Sequence, residues 1–139
     1  MILLDANVLM YAAGREHPHK YASAELLERI ARGAVEAAID AEILQEILHR
    51  YRSLGRPSDG FRLYDLTRTV VRTVLPVTDA VMDEARSLLE SHPRLSARDA
   101  VHAAVSNVFS ADAFCTYDRD FDRIEGLRRV EPGSLLRPA

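Results

Sequence analysis

The stretch MILLDANVLMYAAG, residues 1–14, carries a single acid, Asp5, between two apolar runs. Residues 1–4 are typical of a buried β-strand, and the segment from Asn7 to Gly14 predicts a short helix. A short polar side chain at such a junction can serve as the N-cap of the helix. The carboxyl end of a parallel strand is also where ligands bind, so Asp5 alone leaves a structural and a functional interpretation open.

The rest of the chain alternates short apolar runs with longer amphipathic ones, and no hairpin signal separates the runs. This order is typical of a parallel sheet covered by helices on both sides. The predicted strands are residues 1–4, 35–40, 113–117 and 127–131, with 75–78 as a brief strand or a connector. The predicted helices are residues 7–14, 20–33, 41–55, 58–74, 79–92 and 97–109, with a helical turn at 118–124.

Composition limits the classes of protein to which the chain can belong. Its 139 residues predict one domain, 1–139, and its net charge of −3 gives no bulk attraction for nucleic acid. Any polyanion must therefore be bound locally, by arginines, because Lys20 is the only lysine among 18 basic residues. The single cysteine, Cys115, excludes an internal disulfide, and the sequence shows neither a leader nor a membrane span, so we expect a cytoplasmic location.

Three further acids lie at positions comparable to that of Asp5. Asp118 follows the predicted strand 113–117, so it belongs to the same edge of the sheet as Asp5. Glu46 and Asp99 lie on predicted helices with apolar faces. Ser96 is the better N-cap for the second helix, which places Asp99 three residues later, as in a capping box. A buried carboxylate needs a partner or a metal, so convergence of the four acids explains them better than four separate caps.

Oxygen ligands of this kind suit Mg²⁺ or Mn²⁺. Zinc is disfavoured because none of the five histidines stands at a metal-ligand spacing from Cys115. For His49 and His102, which lie near the acids in sequence, a structural role on a helix is favoured over a catalytic one. The acids Asp118, Asp120 and Asp122 do not form an EF-hand, since the positions that require Gly and Glu hold arginines.

Four segments together resemble the PIN-domain family, and more narrowly the VapC toxins of toxin–antitoxin pairs: LLDANVLMYA, EILQEILHRY, LSARDAVHAA and TYDRDFDRIEGLRRVEP. Their order spans nearly the whole chain. The resemblance implies a three-layer α/β/α sandwich with a central, mostly parallel sheet. It assigns the catalytic and metal-binding acids to Asp5, Glu46, Asp99 and Asp118. It also implies that Asn7 and Thr116 help to hold the acids and a water. Asp122 is a further auxiliary candidate, although the family's final acid corresponds to Asp118.

The function that the resemblance implies is Mg²⁺- or Mn²⁺-dependent cleavage of RNA by a metal-activated water, leaving a 5′-phosphate and a 3′-hydroxyl. RNA would be held by arginines near the motifs, and the candidates are Arg15, Arg50, Arg98 and Arg119. The resemblance further implies a small antitoxin and a homodimer, with no membrane partner. The apolar faces of residues 20–33 and 61–74 are candidate surfaces for these contacts, and core packing is the alternative.

Two other classes of protein were weighed against this hypothesis. A phosphotransfer protein, such as a haloacid-dehalogenase phosphatase or a receiver domain, is disfavoured. The phosphatase needs a second Asp where Asn7 stands, and both classes need a lysine near the late strands, whereas this chain has only Lys20. A PIN-like scaffold that binds RNA or a partner without cutting stays open.

Overall fold

A parallel sheet forms the centre of the molecule. The structure, a computed structural model, describes residues 1–138 and shows five parallel strands in the order β3-β2-β1-β4-β5. Their bounds are β1 (Ile2–Leu4), β2 (Ala37–Asp40), β3 (Thr73–Leu75), β4 (Ala113–Cys115) and β5 (Arg129–Val130). The predicted fold class is confirmed. The single-domain prediction extends to Ala139, which lies outside the described residues.

Helices cover both faces of this sheet. They are α1 (Ala6–Ala13), α2 (Lys20–Ala31), α3 (Ala41–Ser53), α4 (Pro57–Val70), α5 (Asp79–Ser91), α6 (Ala97–Val108) and α7 (Pro132–Leu136), with a 3₁₀ turn at Arg119–Arg123. Successive side chains of a strand point to opposite faces. Leu4 therefore packs in a core with α1 to α4, and Leu3 packs in a second core with α5 and α6. No helix within residues 1–138 is long and apolar enough to cross a membrane.

The order of the strands creates a topological switch point between β1 and β4. From β1 the chain proceeds outward to β2 and β3, and it then returns to add β4 on the other side of β1. The order thus reverses between β1 and β4, and such a switch point leaves a crevice beyond the carboxyl ends of the two strands. Asp5 follows β1 directly and Thr116 follows β4, so both lie at this crevice.

One predicted boundary is wrong. The helix expected over residues 58–74 ends at Val70, and β3 occupies Thr73–Leu75 rather than 75–78. The segment VVRTV continues the helical spacing of apolar residues but is rich in β-branched side chains, which favour a strand. Register with β2 decides the outcome, since Val74 aligns with Ile39 in the sheet. The short helix α7 was not predicted.

Helices α3 and α4 approach each other closely at Gly60. A Cβ atom placed on Gly60 would lie 2.7 Å from the Cβ atom of Tyr51, too close for van der Waals contact. We therefore expect Gly60→Ala to lower the free energy of unfolding by about 1–3 kcal/mol, although alanine is the better helix former. Chemical denaturation measures this change.

The matched control is Gly133→Ala in α7, where an added Cβ meets nothing within 4 Å. It should leave stability unchanged or raise it slightly. Equal effects of the two substitutions would contradict the packing argument.

Candidate metal centre

The four acids that the sequence singles out lie around one open cavity beyond the carboxyl ends of β1 and β4. Asp5, Glu46, Asp99 and Asp118 all line it. They come from the end of β1, from α3, from α6 and from the segment after β4, so the fold alone brings them together. The other lining residues are Ala6, Asn7, Met10, His49, Arg50, Ser53, Ser96 and Arg98.

Asp5 is held from two sides. Its Oδ1 accepts a 2.7 Å hydrogen bond from the backbone N–H of Ala6, so it is the N-cap of α1. Its Oδ2 accepts a 2.7 Å hydrogen bond from the Thr116 hydroxyl and a 3.3 Å bond from Asn7 Nδ2. Asn7 Nδ2 also lies 3.0 Å from Thr116 Oγ1. The two interpretations of Asp5 are therefore compatible, because the cap also presents a buried carboxylate to the cavity.

Burial makes two of the carboxylates, those of Asp5 and Asp99, hard to ionise. Asp5 is only 7% exposed, and burial raises its pKa to about 6, with a smaller increase from Glu46 against the lowering effects of His102 and Thr116. Burial also raises the pKa of Asp99, and the nearby charge of Asp118 adds to this increase. A site that resists holding several negative charges is one that a divalent cation would stabilise.

Asp99 and Asp118 both lie at the start of a helical segment. Ser96 caps α6, since its Oγ accepts a 3.1 Å hydrogen bond from the Asp99 N–H, which confirms the predicted cap. Asp118 caps the 3₁₀ turn through a 2.9 Å bond to its Oδ1 from the Asp120 N–H. Both side chains remain partly exposed at the cavity.

Glu46 contacts charged groups that sequence reasoning did not connect with it. Its Oε1 is 3.3 Å from an Arg98 guanidinium nitrogen, and its Oε2 is 3.4 Å from His102 Nε2. The other ring nitrogen of His102 is 2.6 Å from Asp40 Oδ2. Burial alone would lower the pKa of His102, but the two flanking carboxylates raise it to about 10.

The carboxylate oxygens at this site fit a cation, whereas a His102 ring with a proton on both nitrogens offers it no lone pair. One potential ligand atom each from Asp5, Glu46 and His102 lies within 4.8 Å of the other two. Within residues 1–138, Glu46 Oε2 and His102 Nε2 are buried without a hydrogen-bond partner. The sequence favoured a structural role for His102 and gave no indication of its contacts with Glu46 and Asp40. The available signal for its place near the acids was its position three residues after Asp99, on the same side of α6.

The remaining predicted residues occupy different places. Asp122 binds Arg129 at 2.8 Å and does not line the cavity. Of the four arginines, Arg50 and Arg98 line the cavity, and Arg98 is paired with Glu46. Arg15 lines two adjoining cavities, and Arg119 is exposed on the 3₁₀ turn.

The raised pKa of Asp5 predicts a pH dependence of stability. In chelator, the folded protein binds a proton at Asp5 up to about pH 6, whereas the unfolded chain releases it near 3.8. Stability from this group is therefore lost as pH rises from 4 to 7, by about 3 kcal/mol. Denaturation of wild type and Asp5→Asn at several pH values measures this, since asparagine keeps a capping side chain but does not titrate.

We expect the difference in unfolding free energy between wild type and variant to shift in favour of the variant as pH rises. A difference that stays constant from pH 4 to 7 would contradict the raised pKa.

Comparisons with known proteins identify the family of the chain. The family model described as PIN domain matches residues 2–127. Ribonuclease VapC13 of Mycobacterium tuberculosis is 39% identical over 130 residues, covering 94% of this chain and 99% of that protein. Ribonuclease VapC7 of the same organism is 36% identical over 134 residues, covering 95% and 92%.

Solved structures share the fold at lower identity. Mycobacterium tuberculosis VapC20, described as a sarcin-ricin loop cleaving toxin, matches with a TM-score of 0.76 at 18% identity, covering 95% of this chain and 100% of that one. VapBC2 from Rickettsia felis, bound to a promoter DNA fragment, matches with a TM-score of 0.75 at 19% identity, covering 94% and 98%. The chain therefore belongs to the PIN-domain family, within its VapC group.

Proposed function

We propose that this chain is a divalent-metal-dependent endoribonuclease and the toxin of a VapBC-type pair. The observation that carries the proposal is the convergence of four acids around one cavity at the switch point of the sheet. The names of the relatives support it, since VapC13 and VapC7 are both described as ribonucleases. Cleavage of RNA and the unpaired thiol of Cys115 both suit a cytoplasmic location.

The acids would hold Mg²⁺ or Mn²⁺, with Asp5 and Asp99 as the innermost ligands and Glu46 and Asp118 acting through water or on a second ion. Such an ion lowers the pKa of its bound water and neutralises charge on the phosphate that is attacked. The chain itself orients the acids. Thr116 and Asn7 fix the orientation of the Asp5 carboxylate by the hydrogen bonds described above, and these bonds form without a metal. The products would carry a 5′-phosphate and a 3′-hydroxyl.

Because the acidic cavity repels the phosphates of RNA, positive charge beside the cavity must bind them. Arginines of an adjoining groove supply this charge. The acid cavity adjoins a groove that shares Arg50 with it and continues past Arg15 and Arg56 to Arg62. Arg56 and Arg62 both pair with Asp59, at 2.8 and 3.4 Å. Arg15 and Arg50 form no ion pair within residues 1–138, so both are free to bind phosphates. We propose this groove as the path of the RNA strand.

An antitoxin and a second copy of the chain remain proposed partners. The apolar face of residues 20–33 packs into the core through Leu26, Leu27 and Ile30. The segment 61–74 differs, because Phe61 and Leu66 on α4 stay 58% and 46% exposed. On α2, Tyr21 is also 66% exposed, with its hydroxyl bonded to Glu16, so both candidate surfaces keep large exposed side chains and α4 keeps two of them.

Removing an inner ligand should abolish cleavage. We expect Asp5→Asn and Asp99→Asn each to lower the rate of RNA cleavage in Mg²⁺ or Mn²⁺ by more than about 100-fold. Replacing a residue that only supports a metal ligand costs about 10–100-fold, and loss of the ligand itself should cost more. A gel assay with end-labelled RNA measures this. The control is Asp65→Asn, an exposed acid on α4 outside the cavity, which should cleave at the wild-type rate.

Cleavage that persists in chelator, or that survives both substitutions, would contradict the metal mechanism. RNA binding by a wild-type protein that never cleaves would instead support the non-cutting scaffold.

The groove makes a separate prediction about RNA binding. In chelator, the double variant Arg15→Gln/Arg50→Gln should bind single-stranded RNA more weakly than wild type. The slope of log affinity against log salt should fall by about 0.7 for each lost phosphate contact. Fluorescence anisotropy at several salt concentrations measures both quantities.

Arg68→Gln is the matched control, because Arg68 is exposed on α4 and does not line the groove. An equal loss in this control, or an unchanged slope in the double variant, would contradict the proposed path.

A further inference from the structure

A buried acid that the proposed reaction does not use lies at the end of β2. Asp40 is 0% exposed, and its Oδ1 accepts a 3.0 Å hydrogen bond from the Ile43 N–H, which makes it the N-cap of α3. Its Oδ2 is 2.6 Å from His102 Nδ1 on α6. A fully buried carboxylate is costly unless it is paired and hydrogen-bonded, and here both oxygens have a partner.

The second nitrogen of the same imidazole ring faces the candidate metal centre. His102 is 1% exposed, and its Nε2 lies 3.4 Å from Glu46 Oε2. Both ring nitrogens therefore face carboxylate oxygens, an arrangement that suits a ring with a proton on each nitrogen. Asp40, His102 and Glu46 form a line of carboxylate, imidazole and carboxylate that runs from the buried Asp40 and His102 to Glu46, which is 14% exposed at the cavity.

This line joins the two helices that carry candidate metal ligands. Asp40 fixes the start of α3, which carries Glu46, and His102 lies on α6 three residues after Asp99. Phe114 of β4 stacks near the His102 ring, with centroids 6.0 Å apart, so the imidazole is also confined from the side of the sheet. A ring held in this way can fix the direction in which Glu46 points.

We propose that Asp40 and His102 are positioning residues that act through Glu46, holding its carboxylate in the orientation that binds the metal. This inference rests on the proposed function, because it assigns a role to groups behind the same site. Supporting residues of this type, a carboxylate behind an imidazole, tune the affinity of metal sites by about 10–100-fold.

Two substitutions of His102 separate its two contacts. The amide nitrogen of asparagine stands near the place of Nδ1, so His102→Asn keeps a donor toward Asp40 and loses the one toward Glu46. The amide nitrogen of glutamine stands near the place of Nε2, so His102→Gln keeps the donor toward Glu46. We expect His102→Asn to bind Mn²⁺ about 10–100-fold more weakly than wild type, with partial recovery in His102→Gln.

The readout is Mn²⁺ binding without RNA, followed by the electron paramagnetic resonance signal of free Mn²⁺ at fixed pH. Near-ultraviolet circular dichroism confirms that each variant is folded. His92→Asn removes an imidazole that is bonded to the Leu88 carbonyl in α5 and does not line the acid cavity, so it should leave Mn²⁺ affinity unchanged.

Asp40→Asn supplies a second route if His102→Asn does not fold, because asparagine preserves the cap of α3. Asp40→Asn should weaken Mn²⁺ binding when it is introduced into the wild-type protein. It should have no further effect when it is introduced into the Glu46→Gln variant. Equal losses in both backgrounds would overturn the proposal, since the effect would not act through Glu46.

Three other results would overturn it. Folded His102→Asn with wild-type Mn²⁺ affinity would show that His102 is purely structural. Spin-echo modulation from an imidazole nitrogen bound directly to Mn²⁺ would make His102 a ligand instead. A wild-type protein that binds no Mn²⁺ would overturn the proposed function as well. The other two results would overturn only the role proposed for Asp40 and His102.

Discussion

The 2.7 Å hydrogen bond from the Thr116 hydroxyl to Asp5 Oδ2 ties the ends of β1 and β4 together across the switch point. Because of it, the buried Asp5 carboxylate keeps a fixed direction although burial opposes its charge. Asn7 bonds to both residues, and the Asp118 N–H donates to the same Thr116 oxygen at 3.0 Å. The other acids are arranged around this pair, so the site depends on a contact made before any cation binds.

Much of this arrangement could be predicted from the sequence, because it depends on local pattern and on the direction of the strands. The apolar run before Asp5 and the one before Asp118 identify two strand ends, and parallel strands end at one edge of a sheet. The apolar character of α6 predicts that Asp99 starts a buried helix, and Ala100 to Ser106 are indeed buried. The end of α4 and the position of β3 were misplaced, because sheet register overrides helical spacing there, and the short helix α7 was not predicted.

Contacts between side chains that are distant in the sequence could not be predicted from it. Asp40 closes a predicted strand and gives no sign that it meets His102, which is 62 residues later. The orientation of the arginines was equally hidden: Arg98 pairs with Glu46, while Arg15 and Arg50 line a groove. Such pairings depend on how helices pack across the sheet, and hydrophobic spacing carries no information about them.

The central claim is that the acids converge in order to hold a divalent cation. A crystal structure of the protein grown with Mn²⁺, with data collected at the manganese absorption edge, tests this most directly. The account predicts an anomalous peak in the acid cavity within bonding distance, about 2.2 Å, of Asp5 and Asp99 carboxylate oxygens. An acid cavity without a peak, at a Mn²⁺ concentration that supports cleavage, would contradict it.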